Sequence, residues 1–203
     1  MSRRSSLASG VLAPKRRADR SARPAPEDSA AAKFARGHFE QHGAAEGKLA
    51  IGGREYSIDG CGLRDHSWGP RYWQNTGYYR WLTMSFGADC GLMGLVSERK
   101  GGKESSHGYL FQKGQPNISI ERVELETEFA GEQKLHDKIR ARLHPAGGGA
   151  ALEVTGRVLS MVPCRNRRAG WVTRVAEGMT EWRLGDRVGY GMSEYLDHLQ
   201  KGE

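Results

Sequence analysis

The stretch Gly60-Cys61-Gly62-Leu63-Arg64-Asp65-His66-Ser67-Trp68-Gly69-Pro70-Arg71-Tyr72-Trp73 sets two arginines, an aspartate, a histidine, a serine and three aromatics between glycines. Neither a tight turn nor a core strand needs that mixture. The glycines admit close approaches that a side chain would block. Pro70 fixes its own φ and biases Gly69 toward an extended backbone. The polar groups are therefore held in a defined arrangement, and the chemistry open to them is proton transfer. A carboxyl in an apolar pocket has a raised pKa and stays protonated near neutral pH. Asp65 is the candidate acid, donating to an alkene or an enol. His66 is the candidate base, taking a proton from water or from the substrate. Trp68, Trp73, Tyr78, Tyr79 and Trp81 would line the cavity and stabilise positive charge through their π faces.

A structural alternative stands beside this one. Arg64 and Asp65 could form a buried ion pair, with His66 bonded to backbone, pinning the segment between two strands. Losing one partner of such a pair costs on the order of 3–5 kcal/mol. On a strand, Arg64 and His66 would share one face, and Asp65 and Ser67 the other.

Other combinations are weaker. A metal centre would need His66, Asp65 and a third ligand from His107, His136 or His144. Paired ligands at fixed spacing are absent, so no metal is expected, and no other cofactor. His107, at a strand start, reads as a surface histidine. Ser67 beside His66 is no catalytic pair, because adjacent side chains diverge and no nucleophile elbow is present. The run Arg165 to Arg168 reads as a solvated loop rather than an anion patch. Trp171 and Trp182 read as core.

The elements that must position the motif are strands. Short apolar runs separated by turn residues begin near His38. Lys48–Ile51 and Arg54–Ile58 flank Gly52-Gly53, a two-residue hairpin signal. Further runs cover 77–86, 90–97 and 106–112. In 121–129, Val123, Leu125, Thr127 and Phe129 alternate with Arg122, Glu124, Glu126 and Glu128. Ile139, Ala141 and Leu143 alternate with Lys138, Arg140, Arg142 and His144 in the same way. Period two puts the first set of each inward. Runs at 152–162, 171–184 and 188–199 complete nine or ten strands. The fold expected is all-β: an antiparallel barrel or strongly curved sheet over residues 37–203. A barrel of about eight to ten strands can hold one small ligand.

Residues 1–36 contain nine Lys and Arg against three Asp and Glu, a net +6 of the total +7. The high isoelectric point thus belongs to this tail, which argues against nucleic acid as a partner. Its Ser, Arg, Ala and Pro cannot bury enough apolar surface to offset ordering, so it is expected to be disordered. The three cysteines, Cys61, Cys90 and Cys164, are widely spaced. They fit free thiols in a reducing, cytoplasmic setting. No apolar run approaches the roughly 20 residues of a membrane span.

GCGLRDHSWGPRYW, preceded by HFEQHGAAEGKLAIGGREYSIDG and followed by GDRVGYGMSEYL, resembles bacterial proteins of the AttH/CrtC-like, lipocalin-like superfamily. That group includes carotenoid 1,2-hydratases, kievitone hydratase relatives and terpenoid or polyketide cyclases. The resemblance covers about residues 38–199. It implies a lipocalin-like barrel binding a hydrophobic isoprenoid, lipid or polyketide-like ligand, with cofactor-free hydration, isomerisation or cyclisation as its chemistry, or ligand binding alone. Arg64, Asp65, His66, Trp68, Arg71 and Trp73 match the motif. The expected ligand contacts are Arg64, Trp68, Arg71, Trp73, Tyr79 and Trp81. Members usually carry two successive barrels with the motif in the second, so the chain is expected to correspond to that second domain. Association through an exposed sheet edge, or with a first domain, is the partner this implies.

Overall fold

The computed structural model describes residues 37–69, 76–99, 101–168 and 171–199. The expected tail and the motif residues Pro70, Arg71, Tyr72 and Trp73 lie outside them. Ten strands are present: β1 Gly37–Ile51, β2 Arg54–Trp68, β3 Thr76–Ser85, β4 Cys90–Arg99, β5 Glu104–Gln112, β6 Ile118–Ala130, β7 Leu135–Pro145, β8 Leu152–Arg168, β9 Trp171–Leu184 and β10 Arg187–Leu199.

Strands β3 to β10 form a closed antiparallel barrel in which each pairs with its sequence neighbours. β10 returns to β3, with Tyr190 opposite Ser85 and Leu196 opposite Tyr79. Closure removes every free strand edge from the barrel. The edges that an association of the expected kind needs are on a separate two-stranded ribbon, β1–β2. Its turn, Gly52-Gly53, has positive φ at both residues (56° and 79°), the backbone that a two-residue hairpin demands and that glycine adopts without strain.

Alternation decides the inside of the barrel. Leu82 and Met84 of β3, Leu92 and Val96 of β4, Leu110 of β5, Ile120 and Val123 of β6, and Ile139, Ala141 and Leu143 of β7 all point inward and are buried. Val154, Ala176, Trp182 and Tyr195 complete this core. Trp182 is fully buried, and it fits because Gly156 leaves it room. A Cβ on Gly156 would come within 2.4 Å of the indole. The interior is therefore packed with side chains, as a small barrel's is.

Polar groups inside the barrel are tied together. His136 Nε2 lies 2.9 Å from both the carbonyl and the Oγ of Ser193, and Ser193 Oγ lies 2.6 Å from Thr180 Oγ1. Arg80 donates to Asp197 Oδ1 at 2.6 Å and to the carbonyl of Leu196 at 2.9 Å, with its guanidinium over the Tyr195 ring. Arg174 donates to the other oxygen of Asp197 at 3.2 Å. A second, smaller cluster on the outer wall joins Tyr79, Val175 and Leu196 to Trp81 and Leu95. Residues 165–167 run as the exposed end of β8 rather than as a loop. The side chain of Trp171 lies outside the described residues.

Candidate functional site

The motif is a strand. Residues Arg54–Trp68 form β2, and β1 pairs with it from end to end: His38 opposite Ser67, Phe39 opposite His66, Glu40 opposite Asp65 and Gln41 opposite Arg64. Period two then sorts the side chains onto two faces. His38, Glu40 and His42 share one face with Leu63, Asp65 and Ser67. Phe39, Arg64, His66 and Trp68 occupy the other. Asp65 and His66 therefore diverge, and one substrate atom cannot lie between them.

The first face meets the barrel. Trp81, on the outer side of β3, donates its indole N–H to Glu40 Oε1 at 3.0 Å. The His42 ring lies over Gly91 of β4, where a Cβ would approach it to 2.4 Å. Gly91 is needed here for close approach. The ring stacks on Phe111 (centroids 5.6 Å apart) and meets the edge of Tyr109 (5.7 Å), both on β5. The ribbon root thus lies on the outer wall of β3, β4 and β5, and a seam runs between the two sheets.

Three ionisable side chains converge in the seam. His38 Nε2 is 2.5 Å from Asp65 Oδ2 and 3.5 Å from Glu40 Oε1. One ligand-type atom from each of the three lies within 4.8 Å of the others. The Glu40 side chain is only 7% exposed, against 46% for His38 and 38% for Asp65, so the cluster is sealed on the barrel side and open on the other. Burial raises the pKa of Glu40, opposed by His38 and by the Trp81 hydrogen bond. Burial, and then the charge of Glu40 and a hydrogen bond to it, hold Tyr109 well above the usual tyrosine range. Burial alone lowers His42 to about 4.

Few of these buried groups are satisfied. In the seam, both ring nitrogens of His42 are buried without a hydrogen-bond partner, and Glu40 Oε2 and the Tyr109 hydroxyl have only each other's side chain as a loose partner. Native proteins leave few such atoms, and strain, a chemical role or a bound water or ion accounts for those that remain.

The second face carries the remaining motif side chains. The Arg64 guanidinium lies 5.0 Å from the centre of the Phe39 ring. His66 packs between Phe39 and Trp68, with ring centroids 5.5 and 5.7 Å away. No Arg64–Asp65 ion pair forms; the partner of Asp65 is His38. The reason is geometric, since neighbours on a strand point to opposite sides. Trp68 is 49% exposed, so this face is a surface and not a cavity lining. Of the aromatics after the motif, Trp81 reaches the seam, Tyr79 belongs to the outer-wall cluster, and Tyr78 packs against the barrel core. Arg71 and Trp73 are outside the described residues. His107 is exposed on β5, and His136 and His144 belong to β7, so none completes a set with His66. Glu40, His38 and His42 escaped attention in the sequence. Their signal was the alternation His-x-Glu-x-His immediately before a glycine-rich stretch, at the spacing that puts all three on one strand face.

A cavity of about 430 Å³ opens at one end of the barrel. Cys90, Leu110, Leu152 and Leu184 give it apolar walls, and Asp89, Gln112, Asp186 and Arg187 stand around it. Arg187 donates to Asp89 Oδ2 at 2.9 Å across that rim.

Residues 16–199 match DUF7064, a domain family of unknown function, and the chain belongs to that family. No curated protein matches it. Its fold is similar to that of a crystal structure from Nitrosomonas europaea provisionally named AttH, with a TM-score of 0.50 and 14% sequence identity. The alignment covers 80% of this chain and 54% of that one, so the chain spans about half the length of that protein. At that identity the likeness is one of fold: an AttH-like, lipocalin-like barrel. Among the described residues no helix is long and apolar enough to cross a membrane.

Proposed function

We propose that this DUF7064 barrel binds a small hydrophobic molecule of the isoprenoid, lipid or polyketide class at the open end of the barrel. The observation that carries the reading is the cavity of about 430 Å³ with leucine and cysteine walls and a charged rim. Ligand sites are concave, mostly apolar, and oriented by a few polar groups, with volumes of roughly 300–1,000 Å³. An apolar body would lie against Leu110, Leu152 and Leu184, leaving a polar end toward Arg187. A fluorescent fatty-acyl or prenyl probe titrated into wild type and Leu152→Trp tests this. The tryptophan fills the cavity from a half-buried position, and about tenfold weaker binding, worth roughly 1.4 kcal/mol, is expected. Equal affinity in both proteins would move the ligand elsewhere.

For a catalytic version, cofactor-free hydration, isomerisation or cyclisation, the seam is the location we favour. Asp65 stands there with Glu40 and His38, and His66 faces away. What supports it is the cluster of buried polar groups there, with the His42 ring nitrogens unpartnered. Turnover of prenyl and carotenoid-like alkenes should fall in Asp65→Asn and persist in His66→Ala. Equal rates in wild type and Asp65→Asn would remove the aspartate from any mechanism.

A further inference from the structure

We infer that the seam is a binding site for a divalent transition-metal ion, held by His38 Nε2, a Glu40 carboxylate oxygen and Asp65 Oδ2. The inference deepens the reading of the seam as the place of any chemistry and is independent of the cavity at the barrel end.

Three observations support it. The first is geometry. Bond lengths of 2.0–2.2 Å place neighbouring ligand atoms about 3–3.5 Å apart. The candidate atoms are separated by 2.5 Å (His38 to Asp65) and 3.5 Å (His38 to Glu40), and all fall within 4.8 Å. Small side-chain rotations close the set around one ion. The second is charge. Two carboxylates face each other across the pair Glu40–Asp65, and among the described residues neither is in ion-pair contact with a lysine or arginine. Arg64, the nearest basic residue in sequence, lies over Phe39 on the opposite face. A buried carboxylate without a full counter-charge is costly, and a cation offsets it. The third is the Glu40 side chain, more than nine-tenths buried, whose neighbours Trp81, Tyr109 and His38 supply no full counter-charge.

The surroundings suit a ligand set. The Trp81 indole N–H fixes Glu40 from behind, as groups around a metal site orient its ligands. Antiparallel pairing fixes the register of the three positions. One imidazole and two carboxylates suit zinc, manganese, iron or cobalt better than copper(I) or calcium. The open side, at His38 and Asp65, leaves coordination positions for water or substrate. Bound there, the ion would act as a Lewis acid or lower the pKa of a bound water.

The test uses the full chain without a histidine tag. Zn²⁺ is titrated calorimetrically and Co²⁺ by its visible absorption, in wild type, His38→Ala, Glu40→Gln, Asp65→Asn and His66→Ala. One ion per chain is expected. Each of the three seam variants should bind at least about tenfold more weakly, and His66→Ala, on the other face, should bind as wild type does. Because His38 and Asp65 are substantially exposed, their variants retain the fold, which the far-ultraviolet spectrum and melting curve report. Absence of binding to wild type, retention of affinity in Asp65→Asn and His38→Ala, or equal loss in His66→Ala would each overturn the site. None of these outcomes alters probe binding at the barrel end, so the two readings fail separately.

Discussion

His136 and His42 are alike in basicity and unlike in company. Each falls to about 4, in both cases chiefly because burial penalises the charged ring. His136 lies inside the barrel, stacked on Tyr195 at 4.0 Å and bonded to Ser193, whose hydroxyl also meets Thr180. His42 lies between ribbon and wall with no partner for either nitrogen. The same contrast separates Asp197, gripped by Arg80 and Arg174, from Asp65, held by one exposed histidine. Polar groups inside the barrel close on one another and serve the fold. Those in the seam are left open, at a cost in stability that a binding role would explain.

The largest test of that contrast is a pair of matched substitutions. Asp197→Ala strands two arginines and should cost on the order of 3–5 kcal/mol. Asp65→Ala, at an exposed pair, should cost less than about 1 kcal/mol. The larger penalty expected of a buried Arg64–Asp65 pair does not apply. Urea unfolding measures both, and equal losses would erase the distinction between barrel and seam.

Acid comes next. The folded-state pKa of His136, about 4, is below the ordinary 6.5, so protons bind the unfolded chain more tightly. Ser193 and Asp197 pull the value up and Arg80 and Arg174 push it down, all less than burial does. The stability held by neutral His136 is complete above pH 6.5 and drains away as pH falls toward 4. It amounts to about 3 kcal/mol at one pKa unit per 1.36 kcal/mol. In His136→Phe this part of the pH dependence should vanish. A stability curve of unchanged slope in the variant would show that another group carries it.

Smaller effects distinguish the two close-packed glycines. Gly156→Ala drives a methyl into the sealed Trp182 ring and should cost about 1–3 kcal/mol. Gly91→Ala meets His42, which can swing out of the seam, so its cost should stay under about 1 kcal/mol. The smallest change is expected from His42→Phe. Exchanging a ring with two unsatisfied nitrogens for an apolar ring of similar shape should be neutral or stabilise by up to about 1 kcal/mol. A clear destabilisation there would mean that the nitrogens have partners and that the seam is an ordinary structural contact.

Much of the barrel can be read from the residues. Val123, Ile139, Ala141 and Leu143 alternate cleanly because one face of their strands is core and the other water. Gly52-Gly53 announces its turn because few other dipeptides tolerate two positive φ values. The ribbon is harder. Along β2 both faces carry polar and aromatic side chains, since neither is buried in a core, and period two leaves no contrast to detect. The split of Arg64 and His66 from Asp65 and Ser67 follows from strand geometry alone. The partner of Asp65 does not. His38 lies 27 positions before it, with the whole hairpin between, and it and Glu40 are placed only by the register of Glu40 on Asp65. Trp182 is legible as core, but its seating over Gly156 is not, because it depends on the pairing of β8 with β9.

The ribbon and the barrel share no backbone ladder, and every residue from Gly43 to Gly62 is exposed. They meet through a handful of side chains, Trp81 with Glu40 and His42 with Tyr109 and Phe111. Two regions joined so sparingly open on different free-energy scales. In deuterated solvent the amides of β1 and β2 should exchange through opening of the ribbon ladder alone, while those of β4 and β9 wait for the barrel to come apart. A cation held by His38, Glu40 and Asp65 would tie β1 to β2 within the ribbon and slow the first class without touching the second.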